Sequence, residues 1–163
     1  NKEENENESD CNSTNYPNEE IKTLELLAIK QAEANETSLA LETIKKAIEL
    51  CPEGLRASLH NNKAQILRLI GGEENLKDAL ESLDTAINLS KSTTNNHILR
   101  QSSAQRAWIN FRAGKTEEAF RDFEVAGNLG CRESKMMAVR CNPYAAMCNQ
   151  FMQEILGSKF YSK

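Results

Sequence analysis

The sequence has no long apolar run, no cluster of basic residues and no closely paired cysteines. A membrane-spanning helix needs roughly 20 consecutive apolar residues, and no segment approaches that length. The 20 Lys and Arg residues are outnumbered by 24 Asp and Glu residues, and they form no patch that could neutralise a row of phosphates. We therefore expect neither a membrane nor a nucleic acid as a partner of this chain.

Catalytic and metal-binding patterns are also missing. His60 and His97 are the only histidines, and neither has Cys or carboxylate neighbours at metal-ligand spacing. The sequence contains no G-x-S-x-G motif, Walker loop or dinucleotide fingerprint. These absences predict a protein that is not an enzyme and that uses no metal or other cofactor.

The five cysteines are odd in number, widely spaced and free of any C-x-x-C pair: Cys11, Cys51, Cys131, Cys141 and Cys148. This usage favours reduced thiols that pack as small apolar side chains, with redox sensing as the alternative. The first residues are rich in Asn and Glu, where a secretory signal would be basic and then apolar. We expect a cytoplasmic protein, although the chain starts at Asn1 rather than at Met, so an upstream segment could be missing.

Composition divides the chain into two tails and one helical domain. Residues 1–18 are acidic and Asn-rich with almost no apolar side chains, so they cannot bury enough surface to offset the entropy of ordering and should be disordered. Apolar residues at helical spacing begin after Glu19 and predict an all-α domain over residues 19–157. Residues 158–163 form a short C-terminal tail.

An internal repeat runs through this domain. Three segments place Ala, then a large apolar residue four positions on, then Ala three further: LALETIKKAIEL (39–50), DALESLDTAINL (78–89) and EAFRDFEVAGNL (118–129). Small Ala side chains let two helices approach closely, and the large residue fills the space between them. The pattern predicts the second helices of three helix-turn-helix units.

The spacing resembles the tetratricopeptide repeat, which has a unit of 34 residues with small residues at fixed positions in both helices. The matching repeats span about 21–54, 57–93 and 100–133, and the second needs three extra residues in its turn. The resemblance implies an α-solenoid of three helix-turn-helix repeats. Cap helices are expected at about 131–140 and 143–157, because the last repeat of a solenoid requires covering.

The last predicted helix starts at Asn142-Pro143, where Asn can cap free N–H groups and Pro suits the first helical position. An apolar stripe at helical spacing follows, with Tyr144, Met147 and Phe151 as its candidate binding residues. We interpret this helix as the cap of repeat three, with a partner-docking helix as the alternative. The stretch NPYAAMCN after three repeats is similar to the tetratricopeptide repeat protein thirty-six family, which implies a small cytosolic adaptor linked with heat-shock chaperones.

The first helix of each repeat lines the concave face of such an array, so its exposed side chains are candidates for a partner-binding groove. These candidates are Asn61, Asn62, Gln65, Arg68, Gln105, Trp108 and Arg112. Several have structural alternatives. Asn62 could satisfy backbone groups between adjacent helices, Trp108 could be a buried anchor of repeat three, and Arg112 could bond carbonyls near its helix end.

The best-known groove of this kind is a clamp for the C-terminal carboxylates of heat-shock chaperones, built from two Lys, one Arg and two Asn. By resemblance, this sequence keeps Asn62 and replaces the other positions with Glu25, Ile29, Gln101 and Gln105. Glu25 would repel a carboxylate where the clamp must attract it. We therefore predict an adaptor that binds a protein or peptide. The expected partners include a heat-shock chaperone, bound through contacts other than the standard clamp. The alternative is a structural subunit or dimer that docks through the C-terminal NPY helix.

Overall fold

The computed structural model describes residues 18–160, except for the side chains at positions 146, 149 and 156–160. The predicted N-terminal tail, with Cys11, therefore lies almost wholly outside the described residues. Within that range the chain is helical and contains no β-strand, which confirms the all-α prediction. The helices are α1 (Glu19–Glu33), α2 (Thr37–Leu50), α3 (Ala57–Ile70), α4 (Glu73–Ser92), α5 (Asn96–Arg112), α6 (Thr116–Asn128), α7 (Arg132–Cys141) and α8 (Pro143–Phe160).

The described residues fall into two compact units, the first ending at Ile98 and the second beginning at Leu99. This boundary lies inside α5, in its first turn, since the helix begins at Asn96. The single domain over residues 19–157 stays a prediction. The last helix reaches Phe160, three residues beyond the end that the sequence predicted.

The first unit is held together by the residues of the repeat signature. Helix α1 packs on α2, α2 on α3, and α3 on α4. The alanines and large apolar residues of the signature have no exposed surface: Ala40, Ile44, Ala47, Ala79, Leu83 and Ala86. Full burial of both residue types supports the inference that small side chains set the helix spacing and large ones fill it.

The second unit repeats this arrangement around Phe123, which is fully buried with Ala119 and Ala126 on α6. Helix α7 packs against α6 at very short range: a Cβ atom built on Gly127 would lie 3.0 Å from the backbone N and Cα of Lys135. Only glycine leaves room for this approach. Helix α8 then begins at Pro143, where the side chain of Asn142 accepts the N–H of Tyr144 at 2.9 Å, as an N-terminal cap does.

Candidate functional site

The face shared by α1 and α3 carries a buried polar cluster. Glu25 on α1 is only 7% exposed, although the sequence placed it on the open groove face. Its Oε1 atom accepts a hydrogen bond from Nδ2 of Asn62 at 2.8 Å and another from Oγ of Ser58. Both donors lie on α3, one helical turn apart, so a single carboxylate joins the two helices.

This arrangement explains how a carboxylate can be buried here. A buried charge is costly unless hydrogen bonds replace the water that it loses. Ser58 and Asn62 supply two such bonds to Oε1. The cluster therefore joins the Glu25 carboxylate of α1 to two donors on α3.

The other groove candidates of the first unit differ in accessibility. Asn61 is 3% exposed, so its side chain lies in the packed interior of the unit. Its Nδ2 lies 3.5 Å from Oδ1 of Asn62. Gln65 and Arg68 are exposed on the same helix. Asn62 is half-buried and bonded to Glu25, which supports its structural interpretation.

The second unit places Trp108 in an aromatic cluster. Its ring meets the fully buried Phe123 edge to face, with centroids 5.2 Å apart, and meets Phe111 in the same manner at 5.9 Å. The indole is half-buried, so it contributes to the core as well as to the surface. Gln105 is half-buried, and Arg112 is exposed near the end of α5.

An ion pair in the same unit was not anticipated from the sequence. The guanidinium of Arg106 donates from Nε to one carboxylate oxygen of Asp122 at 2.8 Å and from Nη2 to the other at 2.6 Å. Asp122 is 6% exposed, and the bidentate geometry fixes α5 against α6. Asp122 directly precedes the signature residue Phe123, but Arg106 lies 16 residues away on another helix, so the local pattern carried no signal for the pair.

The candidate residues of α8 are accessible. Tyr144, Met147 and Phe151 are 66%, 61% and 62% exposed, and Met152 beside them is 52% exposed. A helix that covers the last repeat with this stripe would bury these side chains, so the stripe does not act as the expected covering face. The difference arises because the apolar face of α8 points to solvent, which periodicity alone cannot determine.

A cleft of about 230 Å³ lies between α6 and α7. It is lined by apolar side chains, among them Phe120, Ala138 and Val139, and by the charged side chains of Glu124 and Lys135. Val139 is 71% exposed. The second unit therefore presents a small cleft with a mixed apolar and polar lining in addition to the exposed stripe of α8.

Among the described residues, the four thiols are free and differ in their burial. Burial raises the pKa of Cys51 and that of Cys141, so both remain protonated near neutral pH. Cys131 accepts a hydrogen bond from Oγ of Ser134 at 3.1 Å, and Cys148 is exposed. In the part of the chain that the structure describes, no group of three His, Cys, Asp or Glu side chains could hold a metal ion, and no helix is long and apolar enough to cross a membrane.

The helix pairs and the buried alanine signature define a tetratricopeptide-repeat protein. The fold is similar to a crystal structure from Podosopora anserina of a kinesin light chain with nearly identical TPR-like repeats, with a TM-score of 0.62, 12% identity and coverage of 88% of this chain and 76% of that one. No protein-family model matches the chain.

Curated relatives narrow this class to one family. The chain is 41% identical over 139 residues to tetratricopeptide repeat protein 36 of Bos taurus and to that of Homo sapiens, covering 85% of this chain and 70% of each relative. A homolog from Drosophila melanogaster is 36% identical over 134 residues, covering 80% of this chain and 67% of the relative. The chain belongs to the tetratricopeptide repeat protein 36 family.

Proposed function

We propose that this chain is a non-enzymatic cytoplasmic adaptor that binds a protein partner on the face shared by α1 and α3. The observation that carries the proposal is the buried Glu25 with its two donors on α3. A repeat scaffold gives this face its extended shape, and the polar cluster gives it a chemical preference. Gln65 and Arg68 extend the accessible part of the face along α3.

The cluster favours a partner group that donates hydrogen bonds or carries positive charge. Asn62 already directs its amide N–H to Glu25, so that donor is engaged within the protein. A peptide carboxylate that approached the cluster would be repelled by the Glu25 carboxylate. A backbone N–H, Lys or Arg of a partner would instead be attracted to it.

The family resemblance suggests a heat-shock chaperone as one such partner, and we propose that this contact avoids the standard carboxylate clamp. A fluorescently labelled peptide ending in Glu-Glu-Val-Asp should therefore show no saturable binding up to about 100 μM. Any residual binding with a Kd of about 1 mM would correspond to a binding free energy of only about 4 kcal/mol. A micromolar Kd that is lost in Asn62→Ala would contradict this proposal.

The face itself can be tested with a photo-crosslinking amino acid at Gln65, which is exposed one turn beyond Asn62. The matched control carries the same group at Lys46, which is exposed on α2. A partner captured from cytosol by the Gln65 variant should then be purified and titrated. Its Kd should weaken at least about tenfold, or ~1.4 kcal/mol, in Glu25→Gln, which removes the charge but keeps the size of the side chain and an acceptor oxygen for Ser58 and Asn62. Equal capture from both positions would place the binding face elsewhere.

The second candidate function is a structural subunit that docks through α8. It is favoured by the exposure of Tyr144, Met147 and Phe151. This role does not exclude the first, since the residues concerned lie in different helices.

A further inference from the structure

We propose that the side of α5 around Trp108 binds an extended acidic peptide segment, with an aromatic side chain packed on Trp108 and Phe111 and a carboxylate bound to Arg112. We call these three residues the aromatic–arginine face. All of them belong to the second unit, so the inference is independent of the proposed partner face on α1 and α3.

Helical spacing brings the three residues of this face together. Phe111 and Arg112 follow Trp108 by three and four residues on α5, and side chains at these separations are neighbours on a helix surface. Phe111 is 39% exposed, Arg112 is exposed, and Trp108 is half-buried. By contrast, Ala107 and Asn110 on the same helix are buried. The aromatic–arginine face is therefore the accessible side of this part of α5.

The aromatic part of the face is held in place from behind. Phe123 is fully buried, and its ring centroid lies 5.2 Å from that of Trp108 and 6.4 Å from that of Phe111. A partner that packs on these two rings finds them already ordered, so binding costs little side-chain entropy on the protein side. Trp and Arg are also the residue types that contribute most often to the binding free energy of protein interfaces.

The ring pair favours an aromatic side chain of the partner. Aromatic rings pack edge to face or offset, with centroids about 4.5–7 Å apart, and this contact adds to the gain from apolar burial. The rings of Trp108 and Phe111 stand at 84° to each other, so one added ring can meet the face of one and the edge of the other. A Glu-Glu-Val-Asp end has no aromatic ring, so this face does not select it.

The charge beside the rings favours a carboxylate. Helix α5 contains three arginines and no acidic residue. In the described part of the chain no group pairs with the guanidinium of Arg112, so its donors can form a bidentate contact with a carboxylate of the partner. Three exposed acidic residues lie on α6, each at least about 100° around the helix axis from the Phe123 ring that meets Trp108: Glu117, Glu118 and Glu124. Their charges therefore face away from the proposed site.

The spacing along α5 defines the spacing of the peptide motif. At a rise of about 1.5 Å per residue, Arg112 lies about 6 Å along the helix from Trp108. In an extended segment, side chains two residues apart point to the same side and are about 6.5–7 Å apart. The aromatic residue and the acidic residue of the partner should therefore be separated by one residue, in either order.

The fluorescence of Trp108 reports on this face directly, because Trp108 is the only tryptophan of the chain. The probe is the peptide acetyl-Gly-Glu-Ser-Phe-Ser-Glu-Gly-amide, which contains no Trp or Tyr and places a Glu two residues from Phe on both sides. We expect a saturable change in Trp108 emission with a Kd on the order of 100 μM. Replacing Phe by Ala in the peptide should weaken binding at least about tenfold, because the ring burial is lost. Replacing both Glu by Gln should weaken binding about fivefold at low salt.

Variants of the chain separate the carboxylate contact from other modes of binding. Arg112→Gln should weaken binding of the Glu peptide about fivefold and leave binding of the Gln peptide unchanged, since that peptide has no carboxylate to lose. Arg121→Gln, at an exposed position of α6, is the matched control and should bind both peptides like the wild type. The absence of a saturable change in Trp108 emission up to about 2 mM peptide would overturn the proposal. So would equal affinity for a peptide with Lys in place of both Glu, or an Arg112→Gln variant that binds the Glu peptide as tightly as the wild type.

Discussion

At the scale of single residues, Glu25 shows where sequence reasoning reached its limit. The sequence predicts Glu25 on the open groove face of α1, but the structure buries it. Its burial depends on Ser58, 33 residues away, and on Asn62, 37 residues away. Helical periodicity describes neighbours within one helix, so it cannot predict a contact between two helices of different repeats.

The Glu25 cluster predicts a stability cost for Asn62→Ala. Removing the amide leaves a buried carboxylate with one donor fewer, which should lower the free energy of unfolding by about 1–3 kcal/mol. Urea denaturation monitored by circular dichroism measures this change. Gln65→Ala, at an exposed position of the same helix, is the control and should stay within about 0.5 kcal/mol of wild type. An Asn62→Ala variant as stable as this control would show that Asn62 has no structural role.

His60 predicts a dependence of stability on pH. Burial, with smaller contributions from Lys63 and Arg56, lowers the pKa of His60 from 6.5 to about 4, and its Nδ1 atom is buried without a hydrogen-bond partner. Between pH 6.5 and about pH 4, the imidazole of His60 is protonated in the unfolded chain but stays neutral in the folded chain. Stability should therefore fall as pH drops through this window, by about 2 kcal/mol at pH 4.5 because the ring is only half-buried.

The comparison for this prediction is His60→Gln, which cannot titrate. The difference in unfolding free energy between wild type and this variant should be constant above pH 7 and should shift against the wild type between pH 6.5 and 4. A pH-independent difference would mean that His60 titrates equally in the folded and unfolded chains.

At the scale of helices, the sequence predicted the packing positions well and the outward face of α8 poorly. Ala119, Phe123 and Ala126 are buried in α6 as the signature requires, because the pattern records a local requirement for small and large side chains. The stripe of α8 satisfies the same periodicity, yet its face is exposed. Periodicity identifies an apolar face, but the surface that meets it depends on the rest of the fold.

The contact of α6 with α7 predicts the effect of Gly127→Ala. At an exposed position inside a helix, a change from Gly to Ala would raise the free energy of unfolding by up to about 1 kcal/mol. Here the new Cβ would lie 3.0 Å from the backbone of Lys135, which cannot move aside like a flexible side chain. Overpacking costs about 1–3 kcal/mol, so thermal unfolding should show a net loss. The control is Gly54→Ala, since a Cβ on Gly54 meets no atom within 4 Å. A Gly127→Ala variant more stable than wild type would refute the close approach.

At the scale of the whole molecule, repeat architecture makes stability local. Each repeat of a solenoid packs mainly on its neighbours, so a small defect should loosen its own surroundings first. The two compact units, divided between Ile98 and Leu99, provide the natural places to test this. The helix order was predictable from the repeated signature, whereas a division inside α5 has no signal in the sequence.

Two conservative core changes test this locality by amide hydrogen exchange. Ile44→Val in α2 and Phe123→Leu in α6 each remove packing from a fully buried side chain, at a cost of roughly 1 kcal/mol. Because 1 kcal/mol is about a fivefold change in an opening equilibrium, Ile44→Val should speed exchange about fivefold in α1–α3 and less than about twofold in α6 and α7. Phe123→Leu should produce the opposite distribution. Equal acceleration throughout the described helices in both variants would instead require one cooperative unit, because only global unfolding spreads a local defect over every amide.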